Sequence, residues 1–243
     1  MINILIGFLS AAAVFSLLFF LVTAGYVWSG LAAVVVFIAV NYMLGKRVLG
    51  KVTAIMESTG KIIQKGKFEV ALKTLEEGLK YSKWMLMVDS QIRAQMGIIL
   101  YLKKDFNDAQ PYLEKTVAKN WMAIGMLGVI YMRKKEKEKM IKIFEKGVKA
   151  NSDEALLWNL YAYCLNKMGE KDKAIEVLNR AVKKLGDDVR TTANLKALQN
   201  NAKMKMRSFG DVWYQFYLES VPMSMRVQAG ARGSKRGRKM PRR

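Results

Sequence analysis

The chain contains no histidine and a single cysteine, Cys164. That combination leaves no Cys/His set for zinc, no imidazole for acid–base work at neutral pH and no intramolecular disulfide. Cys164 lies among Tyr161, Ala162 and Leu165, a setting that suits a small core residue better than a reactive thiol. No carboxylate pair, nucleophile–base set or phosphate-binding glycine loop stands out, so neither an enzyme nor a resident metal or cofactor is expected. The chemistry left is that of cations. Lysine and arginine number 41 against 20 acidic residues, a formal net charge of +21. The excess is uneven: residues 191–243 hold 12 basic and 2 acidic side chains.

Eight of those cations crowd the end of the chain: Arg226, Arg232, Lys235, Arg236, Arg238, Lys239, Arg242 and Arg243. With Gly230, Gly233 and Gly237 among them and no acid, this segment cannot bury enough apolar surface to order itself. It suits a polyanion. Anionic lipid is one such partner, at about 1 kcal/mol per basic residue near the surface. Nucleic acid is a competing one, although no aromatic side chain is present in the tail for bases to stack on. A solvated tail without a partner is the third reading. Just upstream, residues 209–218 place Phe209, Trp213, Tyr214, Phe216 and Tyr217 within ten positions. Asp211 could cap a short helix presenting Trp213, Phe216 and Tyr217 on one face. Such a segment can fold back on the protein, lie at a membrane interface or dock a partner.

The elements that must position these groups begin with an apolar stretch. The first charged residue is Lys46. A membrane core of about 30 Å needs roughly 20 helical residues, so the run suffices for two crossings. Gly25, Tyr26, Trp28 and Gly30 mark its middle, predicting a helical hairpin with spans at 2–22 and 27–44. A cleaved signal peptide would need a basic start and a shorter apolar stretch, and here a second span follows at once. Gly7, Ala11 and Gly30 offer close approach between the spans. With no intramembrane charge, the hairpin reads as an anchor rather than an ion path. Lys46, Arg47 and Lys51 after the second span place the rest of the chain inside, predicting a multi-pass protein of a bacterial-type inner (cytoplasmic) membrane with its C-terminal domain in the cytoplasm.

Beyond the anchor, three prolines and abundant Ala, Leu, Lys, Glu and Met predict an all-α fold. Leu127, Gly128, Tyr131 and Phe144 superpose without a gap, 34 residues on, upon Tyr161, Ala162, Leu165 and Leu178. Trp158, Gly169, Ala174 and Ala181 extend the second copy. Met96, Gly97, Leu100, Ala109, Leu113 and Thr116 form an earlier copy, and Gly66, Ala71, Leu75 and Gly78 a more degenerate one. Asp105 fits a helix N-cap there. The pattern resembles the tetratricopeptide repeat, a helix–turn–helix unit. That resemblance implies an α-solenoid of about four helix pairs, in which small residues let paired helices approach closely.

The domains expected are therefore a transmembrane hairpin at 1–45, repeats at 46–206 that end in a polar-faced terminal helix at 189–206, the aromatic segment at 207–225 and the basic tail at 226–243. The first helices of such repeats line a concave face. By helical spacing its candidates are Met56, Ile63, Ala94, Ile98, Tyr101, Val129, Met132, Asn159, Tyr163 and Asn166. The two-carboxylate clamp of some family members is missing, since Met56, Gly60, Ala94, Ile98 and Val129 stand at its places. An apolar face of this kind suits an amphipathic helix or an apolar peptide, unless the protein fills it itself. The resulting expectation is a membrane-anchored adaptor for a protein partner. The alternative is a membrane-tethered nucleic-acid- or ribosome-associated factor acting through its tail.

Overall fold

A computed structural model describes residues 1–20, 25–85, 88–186 and 188–220. Every regular element among them is helical. They are α1 (Ile2–Phe20), α2 (Gly25–Gln64), α3 (Phe68–Gly78), α4 (Val88–Leu102), α5 (Phe106–Glu114), α6 (Trp121–Arg133), α7 (Lys137–Ala150), α8 (Ala155–Lys167), α9 (Lys171–Leu185), α10 (Val189–Gln199) and the single turn α11 (Asp211–Tyr214). Short 3-10 turns occupy Leu79–Lys83 and Met206–Phe209. The chain divides into two compact units, residues 1–127 and 128–243.

In the first unit, α1 folds back along α2. The Phe19 and Tyr26 rings lie 4.5 Å apart at one end. Nearer the other, Gly7 makes room for Asn41: a Cβ on Gly7 would clash with the Asn41 amide. That amide donates to the Phe37 carbonyl at 2.9 Å, so the polar group is satisfied within its own helix. Gly30, by contrast, faces open space and brings nothing close. The outer faces are bare and apolar, with Phe8 68%, Trp28 72% and Ile38 61% exposed. A soluble core helix would hide such side chains. Both helices are long and apolar enough to be candidate membrane spans.

The sequence places the end of the second span at Leu44, but the helix does not stop there. α2 continues unbroken to Gln64, 40 residues in all and roughly 60 Å long. Three glycines beyond Leu44, Gly45, Gly50 and Gly60, cost about 1 kcal/mol each in helix propensity. Burial outweighs them: Val48 and Val52 enter a core with Ala71, Leu75, Val88, Ile92, Met96 and Ile99. Thus one helix is both the second candidate span and the first helix of the first repeat-like pair, with α3 as its partner. α4 and α5 form the next pair, in which a Cβ on Gly97 would fall 2.8 Å from the Leu113 side chain.

One device ends the first helix of all four pairs. Gly66, Lys104, Lys135 and Gly169 each take a left-handed backbone, with φ between 60° and 84°. At each, the residue's N–H donates three positions back, and the next N–H donates five back, as in Lys135 to Met132 (3.0 Å) and Glu136 to Tyr131 (2.9 Å). This paired closure satisfies carbonyls that the helix end would otherwise orphan. Its recurrence is the backbone signature of the repeat. Two of the four turns are lysine, which is why glycine alone does not reveal them. Asp105 occupies the N-cap position of α5 but does not cap it; its carboxylate meets Lys103 instead, at 3.1 Å.

In the second unit, Gly128 of α6 admits the Phe144 ring of α7, and that ring stacks on Tyr161 of α8 at 5.0 Å. Ala162, Ala174, Leu178 and Ala181 are fully buried in the pair α8–α9. α10 then follows α9. It ends at Gln199, shorter than the expected 189–206 helix, and the chain beyond it turns back.

Candidate docking site

The second unit carries the clearest binding geometry, and its own C-terminal segment forms part of it. The segment 204–218 folds back rather than projecting away. Met206, Trp213 and Phe216 are fully buried. Trp213 meets the Tyr163 ring edge-on, centroids 4.9 Å apart. α11 is a single turn starting at Asp211, and Gly210, not Asp211, holds its N-cap position. Tyr217, at φ 53°, has left that turn, and its carbonyl accepts from the Arg133 guanidinium at 2.7 Å. The Arg190 guanidinium covers the Phe209 ring at 4.6 Å. Of the three readings of the aromatic segment, folding back is the one observed.

A buried polar chain fastens this arrangement. The Asn159 amide donates to Ala155 O and to Thr191 Oγ1, both at 2.8 Å. Its oxygen accepts from Asn194 Nδ2 at 2.9 Å, and Asn194 Oδ1 accepts from the Lys205 backbone N–H at 2.6 Å. Thr191 in turn donates its hydroxyl to Asp188 at 2.6 Å, while Asp188 caps α10 through the Thr191 N–H at 2.9 Å. Burial pushes the Asp188 carboxyl up, but the two Thr191 bonds and Arg190 outweigh it and hold the group below its ordinary value. Every polar atom of Asn159 is engaged. By contrast, the Trp213 indole N–H and the Tyr214 hydroxyl are buried without a partner among the described residues. Leaving such groups unsatisfied costs about 1–3 kcal/mol each.

Beside the folded-back segment lies a pocket of ≈ 550 Å³ lined by Met132, Arg133, Tyr163, Met168, Tyr217 and Leu218, with Lys135 and Lys167 at its edge. Its floor is apolar and its rim cationic. Burial pushes the Tyr163 hydroxyl up to about 12, so it stays a neutral donor, and Lys167 sits over its ring at 5.5 Å.

Of the ten concave-face candidates, Met132 and Tyr163 meet in this pocket, and Asn166 is half-buried on the same helix as Tyr163. Val129 and Asn159 are fully buried. In the first unit, Ala94 and Tyr101 are buried, Tyr101 against Phe106, while Met56, Ile63 and Ile98 keep part of their surface exposed. The tail residues Arg226, Arg232, Lys235, Arg236, Arg238, Lys239, Arg242 and Arg243 lie outside the described residues. Sequence reasoning missed Arg133, Lys167, Thr191 and Asn194. A signal existed: Arg133 and Lys167 stand one 34-residue period apart, and Asn159 and Asn194 nearly so.

Elsewhere in this unit, Glu145 on α7 accepts both Arg180 terminal nitrogens at 2.8 Å and the Tyr161 hydroxyl at 3.1 Å. The Arg180 bonds hold its carboxyl below the ordinary value. Cys164 is buried, which pushes its thiol up and leaves it unreactive. Among the described residues no group of three or more Cys, Asp or Glu could hold a metal ion.

The family model described as tetratricopeptide repeat matches residues 123–154 and 155–183. These are the two copies whose small, large and turn residues superpose in the sequence. Among solved structures, a MamA RS-1 double mutant is similar at 18% identity and a TM-score of 0.49, over 75% of this chain and 97% of that one. MamA from Desulfovibrio magneticus RS-1, from its residue 41 to its end, gives 18% and 0.48 over 75% and 96%. A crystal structure of MamA protein gives 18% and 0.48 over 79% and 98%. No curated protein matches the chain. Tetratricopeptide repeats are protein-interaction scaffolds, and residues 123–183 carry that architecture here.

Proposed function

We propose that this protein is an adaptor anchored in a membrane by residues 1–45, holding its repeats at the cytoplasmic face of a bacterial-type inner membrane to dock a protein partner. The observation that carries the reading is α2. Its apolar half is bare, its other half is repeat core, and no joint separates them. One continuous helix keeps the first repeat-like pair at a fixed distance from the bilayer, as a platform for assembling a membrane complex requires.

In this reading 46–206 is the repeat body, 207–225 the aromatic segment, whose residues up to Leu218 occupy the docking face, and 226–243 a tail resting on anionic lipid. The partner offers an apolar segment to Met132, Tyr163 and Met168, with acidic residues toward Arg133, Lys135 and Lys167. The segment 204–218 is displaceable, since its buried Trp213 N–H and Tyr214 hydroxyl lack partners among the described residues.

A photo-crosslinking residue placed at Met132, and separately at exposed Val70, tests this in intact membranes. A discrete protein adduct is expected from position 132 and not from 70, and a Tyr163→Glu substitution should abolish it. Equal adducts from both positions, or an adduct indifferent to Tyr163→Glu, would refute docking at this pocket.

A further inference from the structure

Where α2 leaves its apolar half, it carries an open recess of ≈ 640 Å³ lying along one face of the helix. Gly50 and Ala54 form the floor, with nothing within 4 Å of a Cβ built on Gly50. Lys46, Arg47 and Lys51 form the walls. The opposite face of the same turns, Val48 and Val52, is buried in the core, so the recess looks outward. Directly above it are Tyr42 and Met43, 68% and 57% exposed.

The charges here are uncompensated. Further cations gather at the same level: Lys51 and Lys80 flank the Tyr81 ring at 5.8 and 5.3 Å, and the Met1 ammonium donates to the Lys83 carbonyl at 2.6 Å. Among the described residues, none of these ammonium and guanidinium groups is paired with a carboxylate. The first acidic residue of the whole chain is Glu57, past the recess. Some cations elsewhere do have carboxylate partners, among them Arg93, Lys103, Lys137, Arg180 and Arg190. Like charges within a Debye length of about 10 Å repel unless an anion sits between them.

We propose that this recess binds the phosphate headgroup of an anionic phospholipid, with the acyl chains running from Tyr42 and Met43 along the bare outer face of α2. The inference rests on the membrane reading of α1 and α2. A floor of Gly50 and Ala54, with nothing larger than a methyl group, lets a phosphate approach the helix, and the three cations supply its counter-charge. A lipid fits better than free phosphate because the recess opens without interruption onto an apolar surface. Arg47 supplies the planar fork suited to phosphate, and Lys46 and Lys51 act as point charges.

The test uses the full chain reconstituted in vesicles of phosphatidylcholine with a minor share of phosphatidylglycerol, followed by extraction and native mass spectrometry. The parent is expected to retain phosphatidylglycerol over phosphatidylcholine. The triple variant Lys46→Gln, Arg47→Gln, Lys51→Gln should bind it roughly a hundredfold more weakly, each near-surface charge contributing about fivefold. The exposed triple Lys65→Gln, Lys67→Gln, Lys73→Gln should behave as the parent. Helical circular dichroism and co-flotation with vesicles check that each variant folds and inserts. A parent that fails to co-float with vesicles overturns the membrane reading, and the inference with it. A parent that co-floats yet retains both lipids equally overturns the inference alone. So does loss of phosphatidylglycerol on deleting 226–243 with none in the recess triple, or its full displacement by inorganic phosphate.

Discussion

Gly128→Ala adds one methyl group at a close helix crossing of the second unit. The added Cβ would lie 2.3 Å from Phe144 Cε2 and 2.4 Å from Cζ. Relaxed carbon contacts are about 3.5–4.0 Å, so the ring or the helix must yield by more than about 1 Å. The ring has nowhere to go: Phe144 is fully buried and stacked 5.0 Å from Tyr161, whose hydroxyl is tied to Glu145. Overpacking of this kind costs about 1–3 kcal/mol, against which alanine returns up to about 1 kcal/mol of helix propensity. The net loss expected is about 1–2 kcal/mol. The next repeat shows how to relieve it, because alanine and leucine stand at the superposed positions as Ala162 and Leu178, both fully buried. Adding Phe144→Leu should therefore recover about 1 kcal/mol in a double-mutant cycle. Urea unfolding of the full chain in mild detergent, followed by helical circular dichroism, reads each midpoint. A Gly128→Ala midpoint at or above the parent's, or a cycle without coupling, would refute the register.

Three further outcomes follow from the same structure. Lys135→Gly should raise stability by about 0.5–1 kcal/mol, because lysine there holds a left-handed φ of 60° that glycine adopts freely; an unchanged or lower urea midpoint speaks against that turn. Asn194→Ala strips the Asn159 oxygen and the Lys205 N–H of their partners, costing about 1–3 kcal/mol and shifting Trp213 emission to the red as 204–218 loosens. Unshifted emission, with the other tryptophans replaced, would show that the network does not hold the segment. Glu145 has its carboxyl lowered by Arg180, so its contribution is present above the unfolded value of about 4.3 and is lost as pH falls through the lower folded value. Stability should therefore drop less steeply on acidification in Glu145→Gln, and identical pH profiles would contradict the assignment.

The helical class and the last two repeats were legible because their information is local in sequence. Small residues at 128 and 162, and large ones at 144 and 178, are set by close packing that repeats every 34 positions. The hairpin was legible from the absence of charge. What escaped depends on competition between local and tertiary terms. Gly45, Gly50 and three cations look like the end of a helix, and only the burial of Val48 and Val52 against α3 and α4 shows why α2 continues. The turns at Lys104 and Lys135 hide because the closing hydrogen bonds outweigh the strain of a non-glycine residue. Helical position alone makes Asn159 a groove residue. Its saturation by Thr191 and Asn194 required knowing that α10 lies beside α8.

The proposed adaptor holds its repeats at a membrane through a hairpin whose two ends emerge on one side. Topology reporters joined at Gly25 and, separately, after Arg190 address it directly in living bacterial cells. The Gly25 fusion is expected to report the outside and the Arg190 fusion the cytoplasm, with both proteins recovered in the membrane fraction. A Gly25 fusion that reports the cytoplasm, an Arg190 fusion that reports the periplasm, or a full chain recovered free of membranes would contradict it.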